Sequence, residues 1–191
     1  MDLFKIFITA LLIDNVVIMR FIALCPFIGM STDENTSTGM GMAVIFVTVL
    51  ATCVTWPIFI FILKPLGLVF LQLLVFILVI AALVQLVEFY LKKSAPGLYN
   101  AMGIYFALIT TNCAILAVTL ENIEKRFNFV ESIVYALGVA LGFLLAMLLL
   151  AGIRRRIRTS PIPAFLKGTP ILFICSCLLS MAFMGFSGLV K

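Results

Sequence analysis

The sequence contains no histidine, a single tryptophan, and charge on only 11% of its 191 residues. The missing histidine excludes a haem axial imidazole, an imidazole proton relay and a histidine metal ligand from this chain. Charged residues make up about a quarter of an ordinary soluble domain, so their scarcity excludes a water-facing globule. Nor is there a polar stretch long enough for a soluble domain: the longest connection between apolar runs is RRRIRTSPIPAFLKG, residues 154–168. Any chemistry must fall to cysteines, carboxylates, amides or the backbone.

What is abundant is apolar. Residues of this class form 64% of the chain and the mean hydropathy is +1.30. Six runs, 3–30, 40–63, 68–91, 101–120, 130–152 and 169–189, each meet the length of about 20 residues that a hydrocarbon crossing requires. They predict an all-α polytopic membrane protein, one membrane domain over 1–191 with six transmembrane helices. The first run follows Asp2 and Lys5, has no strongly basic start and no small-residue cleavage site. It reads as a retained helix and not as a removable signal.

An even number of spans places both termini on one side. The connections 31–39, 92–100 and 153–168 carry Lys92, Lys93, Arg154, Arg155, Arg156, Arg158 and Lys167, whereas Lys5, Lys64, Lys125, Arg126 and Lys191 fall on the other side. The excess predicts a cytoplasmic RRRIR loop and extracytoplasmic termini. Four arginines beside a membrane helix are the ordinary form of that signal, so no nucleic-acid partner is expected.

Six spans divide into halves of three, about 1–95 and 96–191, which must enter the membrane in opposite directions. Each half opens on an interrupted run. Asp14, Asn15 and Arg20 punctuate the first, which ends in LCPFIG, and Thr110, Thr111, Asn112 and Cys113 lie in the middle of the fourth. Matching interruptions in two inverted halves point to a central site, so Asp14, Asn15, Thr110, Thr111 and Asn112 are candidates for an ion path or for the surroundings of a cofactor. The first run, about 42 Å long as a straight helix, exceeds a hydrocarbon core of about 30 Å. A break near 24–29, at Pro26, is the expected solution.

Five cysteines, an odd number, do not form a disulfide framework. Cys53 lies in a small-residue packing stretch, and Cys175 and Cys177, about 200° apart on a helix, cannot chelate one metal together. These three read as packing residues. Cys25 and Cys113 differ, because each adjoins an interruption, one per half. Two such thiolates would be half of a four-cysteine iron-sulfur site, the other half coming from a second chain; packing is the alternative. Arg20 is a functional candidate by its place within a span, or else snorkels or pairs with a neighbouring subunit. Glu88 with Lys92 and Glu121 with Lys125 read as interfacial i,i+4 pairs. Gly138 and Gly142 form a GxxxG that reads as close helix packing.

LCPF at 24–27 and LITTNCAILAV at 108–118 resemble the signature segments of the family formed by the A subunits of the bacterial Rnf (Rsx) complexes and the E subunits of the sodium-pumping NADH:quinone oxidoreductases. The likeness continues through GMGMA at 39–43, FILVIAALVQLVE at 76–88, AGIR at 151–154 and MAFMGFSGLVK at 181–191. Pro26 and Thr111 are more similar to the Rnf branch, and the quinone-reductase member is the alternative. The resemblance implies two inverted three-helix repeats in the bacterial inner membrane, paired with a homologous sister, the E subunit of Rnf. It implies a 2Fe-2S cluster held by Cys25 and Cys113 with two cysteines of that sister, and flavins and further iron-sulfur clusters on the B, C, D and G subunits. Electrons would pass from ferredoxin to NAD through those partners, coupled to Na+ or H+ transport; the protein would be part of a redox-driven translocase and inactive alone. A secondary transporter using Asp14, Asn15, Thr111 and Asn112 as solute ligands, and a purely structural anchor, are the competing classes.

Overall fold

A computed structural model describes residues 3–13, 15–31, 34–67, 69–94, 105–161, 166 and 168–187. Among the described residues every regular element is helical and there is no strand. The first run comprises α1 (Leu3–Ile8), a π-helical turn (Thr9–Ile13), α2 (Val16–Arg20) and α3 (Leu24–Met30). The second is α4 (Glu34–Ile58), which passes through another π turn (Phe59–Leu63) into the short α5 (Lys64–Leu66). A 3-10 turn (Val69–Leu71) leads to α6 (Gln72–Ser94); α7 (Tyr105–Thr110) and α8 (Cys113–Glu124) make the fourth run, followed by α9 (Phe129–Arg158) and α10 (Thr169–Ser187).

Among the described residues three stretches are long and apolar enough to cross a membrane: Ser37–Leu63, Gln72–Phe89 and Phe129–Arg158; the apolar part of α10, Thr169–Gly185, is shorter. Hydrocarbon offers no water to free N–H and C=O groups, so these segments close their hydrogen bonds within the helix. Polar side chains follow the same rule in α4, where the buried hydroxyls of Thr48, Thr52 and Thr55 donate to the carbonyls four residues earlier at 2.6, 2.9 and 2.7 Å. Pro57 removes one N–H from that ladder, and the helix widens into its π turn directly afterwards.

The core forms around α9. Over its apolar window 56% is buried, against 28% for Ser37–Leu63 and 17% for Gln72–Phe89. Helix α6 therefore presents Leu73, Leu74, Ile77, Leu78, Leu86 and Phe89 outward, as a lipid-facing helix does. Helix α9 packs along α4, α1 and the first π turn. The GxxxG reading holds: a Cβ at Gly138 would lie 2.8 Å from Ala10 Cβ, and one at Gly142 would lie 2.9 Å from the Leu11 carbonyl. Small residues let the two backbones approach. One apolar cluster joins α2, α3, α4, α6, α7, α8 and α9, and a second joins α1, α8 and α9.

The first run is interrupted, but not at the position expected from Pro26. One break ends at Asn15, and the next spans residues 21–23, where Phe21 (φ 53) and Ala23 (φ 67) adopt the left-handed conformation. Pro26 lies inside α3, in its first turn, where a backbone N–H has no intrahelical acceptor and its loss is cheap. The expected break at 24–29 is thus displaced to 21–23, and Cys25 stands on a short helix rather than at a kink.

Candidate functional site

Each interruption is built on an asparagine. ALLIDN at 10–15 and ALITTN at 107–112 align at an offset of 97 residues, placing Asn15 opposite Asn112. The backbone angles at these two positions are nearly the same, φ −66, ψ 103 and φ −72, ψ 110. Both are buried N-caps: Asn15 Oδ1 accepts from the N–H groups of Val17 and Ile18 at 3.2 and 3.4 Å, and Asn112 Oδ1 accepts from Ala114 N–H at 3.0 Å. A helix beginning within an apolar run leaves N–H groups that no water can reach, and the side-chain oxygen satisfies them. The helix that follows carries a partial positive charge at this end.

The sequence-derived candidates separate in space. Thr110, Thr111, Asn112 and Cys113 line one open cavity of about 400 Å³ together with Ile77, Ile80, Ala81 and Gln85 of α6 and with Leu116. Asn15 is not among its lining residues; its Nδ2 donates instead to the Gly142 carbonyl at 2.9 Å. Asp14 lies outside the described residues. Cys113 opens α8, is exposed, and sits 3.8 Å from the Thr111 carbonyl. Cys25 is exposed too, on the first turn of α3. Helix α3 packs against α7, and the neighbours of both cysteines, Leu24 and Phe27 on one side and Ala114 and Leu116 on the other, share one apolar cluster. Among the described residues no group of three or more Cys, Asp or Glu side chains could hold a metal ion.

Two polar contacts escape a reading of spacing. Arg20 pairs with Glu121 of α8, whose side chain is only 7% exposed. The Tyr135 hydroxyl donates to the other carboxylate oxygen, and Lys125 Nζ lies 3.9 Å from it and donates to the Tyr135 hydroxyl at 3.2 Å. Glu121 is therefore a buried junction between α2, α8 and α9, where spacing points to an interfacial pair with Lys125 alone, and Arg20 finds its partner within the chain. The second contact involves Arg154, which donates to the Ile28 carbonyl at 3.1 Å and to the buried Ser31 hydroxyl at 3.3 Å. This cation closes the C-terminal end of the helix that bears Cys25, where the carbonyls are unpaired and the dipole is negative. Arg154 thus has a structural task beside its topological one. No local signal marks either contact, because the partners are 101 and 126 residues apart.

Residues 3–190 match the family described as "Rnf-Nqr subunit, membrane protein". The chain is 51% identical over 189 residues to the A subunit of the Na(+)-translocating ferredoxin:NAD(+) oxidoreductase complex of Acetobacterium woodii, covering 99% of this chain and 98% of that protein. It is 51% identical over 189 residues, with the same coverage, to the A subunit of the ion-translocating oxidoreductase complex of Syntrophotalea carbinolica. To the protein of that name from Yersinia enterocolitica it is 48% identical over 186 residues, 97% and 96% of the two chains.

Proposed function

The chain belongs to the Rnf-Nqr family of membrane subunits, and from that premise we propose that it serves as the A subunit of an ion-translocating ferredoxin:NAD+ oxidoreductase, one membrane component of a redox-driven pump. Relatives matched over nearly their whole length carry the name of that subunit, which favours it over the quinone-reductase member of the family. Its part in the pump is to hold one half of a 2Fe-2S cluster on Cys25 and Cys113, with two cysteines of a homologous sister protein completing the set.

The observation that carries this role is the placement of the two thiols. Each lies in the first turn of a helix that starts inside an interrupted run, each faces out of the chain, and their neighbours share one apolar cluster. An all-thiolate donor set suits an iron-sulfur group, and two thiolates are half of the four that such a group takes. The partial positive charge at the start of α8 favours an anionic group beside Cys113. When bound, such a cluster supplies a one-electron carrier that divides a hydrocarbon layer of about 30 Å into two shorter transfers. The chain's own residues do the rest. Asn15 and Asn112 fix the helix starts, Arg154 holds the far end of α3, and Ile109, Ile115 and Phe27 exclude water around them. Six spans arranged as inverted repeats accompany this reading, with Asn15 and Asn112 as equivalent caps, termini outside and the RRRIR loop inside. Na+ or H+ is the transported ion.

The test is iron and acid-labile sulfide in the purified complex, with Cys25→Ser and Cys113→Ser compared to the parent. Either substitution removes the cluster and stops ferredoxin-dependent NAD+ reduction. A Cys25→Ser complex with full iron and activity overturns the assignment. Reporters fused at either terminus are extracytoplasmic and one within 154–160 is cytoplasmic; the reverse pattern overturns the topology.

A further inference from the structure

The two equivalent asparagines spend their amides differently. In Asn15 both ends are used, the oxygen on the cap and Nδ2 on the Gly142 carbonyl at 2.9 Å. In Asn112 the oxygen is used on the Ala114 N–H, but Nδ2 has no acceptor among the described residues although the residue is only 4% exposed. Flipping the amide does not cure this, because it would turn the NH2 group toward the Ala114 N–H and set two donors face to face. The cap therefore fixes which end of the amide is left over, and that end is a donor. By the same offset of 97, Gly142 of the second half corresponds to Ile45 of the first, so the first half offers Asn112 no glycine where the second opens a carbonyl to Asn15. Buried amides find acceptors, and none of the described residues supplies one to Asn112 Nδ2.

Asn112 and Cys113 are adjacent and line the same cavity of about 400 Å³. We infer that the side-chain amide of Asn112 is a hydrogen-bond donor to a sulfur of the iron-sulfur group held at Cys113, and that it raises the reduction potential of that group. The inference rests on the cluster proposed above. Thiolate and sulfide sulfurs accept N–H bonds, and the added electron of the reduced form makes them better acceptors, so the bond favours reduction. The same feature explains why the cap is asparagine: serine, threonine or aspartate would cap α8 equally well, but none offers a second, outward N–H. A water molecule in the cavity is the competing acceptor.

The experiment uses the assembled complex with asparagine labelled with 15N. In the reduced parent, pulsed EPR reads a coupling between the cluster and a side-chain 15N. Asn112→Ser keeps the cap and removes the donor; the coupling disappears and the midpoint potential in a redox titration moves to more negative values, with iron content retained. Asn128→Ser, at the cap of α9 and outside the cavity lining, leaves coupling and potential in place. Where Asn112→Ser fails to assemble, Asn112→Thr, which keeps a neutral cap and has no N–H to donate, carries the same two readings. A parent complex that holds iron but shows no side-chain coupling, or a donorless variant with unchanged potential, overturns the inference and leaves water as the acceptor. A parent complex without iron overturns the cluster reading instead.

Discussion

A single methyl group at Gly142 tests the contact on which the first interrupted helix depends. In Gly142→Ala the new carbon would lie 2.9 Å from the Leu11 carbonyl and 3.2 Å from Asn15 Nδ2, so backbone must move. Overpacking of this kind costs about 1–3 kcal/mol, and the bond from Asn15 to the Gly142 carbonyl adds about 0.6 kcal/mol, the typical value between membrane helices. Relative to an alanine placed without contact on the same helix, the expected loss is about 2–4 kcal/mol. At roughly 2–4 °C per kcal/mol for a chain of this size, the denaturation midpoint falls by roughly 4–16 °C relative to that control. Gly152 supplies the control on the same helix, since nothing lies within 4 Å of its added Cβ and alanine is the better helix former by about 1 kcal/mol. The assay is fluorescence-detected size exclusion of the tagged protein in detergent after heating. A Gly142→Ala protein that denatures together with Gly152→Ala would refute the close approach of the first π turn and α9.

Three further outcomes follow from contacts described above. Glu121→Gln takes the shared carboxylate away from Arg20 and Lys125 and lowers stability by about 1–3 kcal/mol; adding Arg20→Ala to it costs little more, and full additivity of the two would show that the pair does not form. Arg154→Ala takes the charged donor from the Ile28 carbonyl and from Ser31, leaving only the 3.5 Å bond from the Ser31 hydroxyl to that carbonyl, and destabilises by about 1–2 kcal/mol, the value of a charge-assisted bond at a partly buried site, with Arg154→Lys between it and the parent in the same heat assay. Replacing Cys53, Cys175 or Cys177 by Ala leaves the iron content of the complex unchanged, and loss of iron in any of the three would show that the cluster ligands are misassigned.

The parts of the fold legible in the sequence are those decided within about 20 residues. Apolar length alone identifies Ser37–Leu63, Gln72–Phe89 and Phe129–Arg158, and polar residues inside an apolar run identify the interruptions at Asn15 and Asn112. The two cysteines of the candidate site stand out by the same signal. Pro26 misleads because its effect depends on position within a helix: in a first turn it interrupts nothing, and the strain is carried by Phe21 and Ala23, residues with no sequence preference for left-handed backbone. Glu121 escapes for a different reason. Its neighbour at i+4 is real, at 3.9 Å, but the partner that defines its burial comes from another helix. The leftover donor of Asn112 depends on which acceptors the fold brings near, and nothing in TTNC specifies that.

The bonds that hold the first run in its broken shape share one property of chain order. Gly142, Glu121 and Arg154, which receive or supply the contacts of Asn15, Arg20 and Ile28, lie 127, 101 and 126 residues downstream. During synthesis the segment that becomes α1, α2 and α3 enters the membrane before any of these partners exists. Its capping asparagine then has no carbonyl for its amide, its arginine no carboxylate from α8, and the C-terminal end of α3 no guanidinium. The broken shape of the first run is therefore complete only once α8 and α9 are in place, and the helix that bears Cys25 gains its contact from Arg154 near the end of α9.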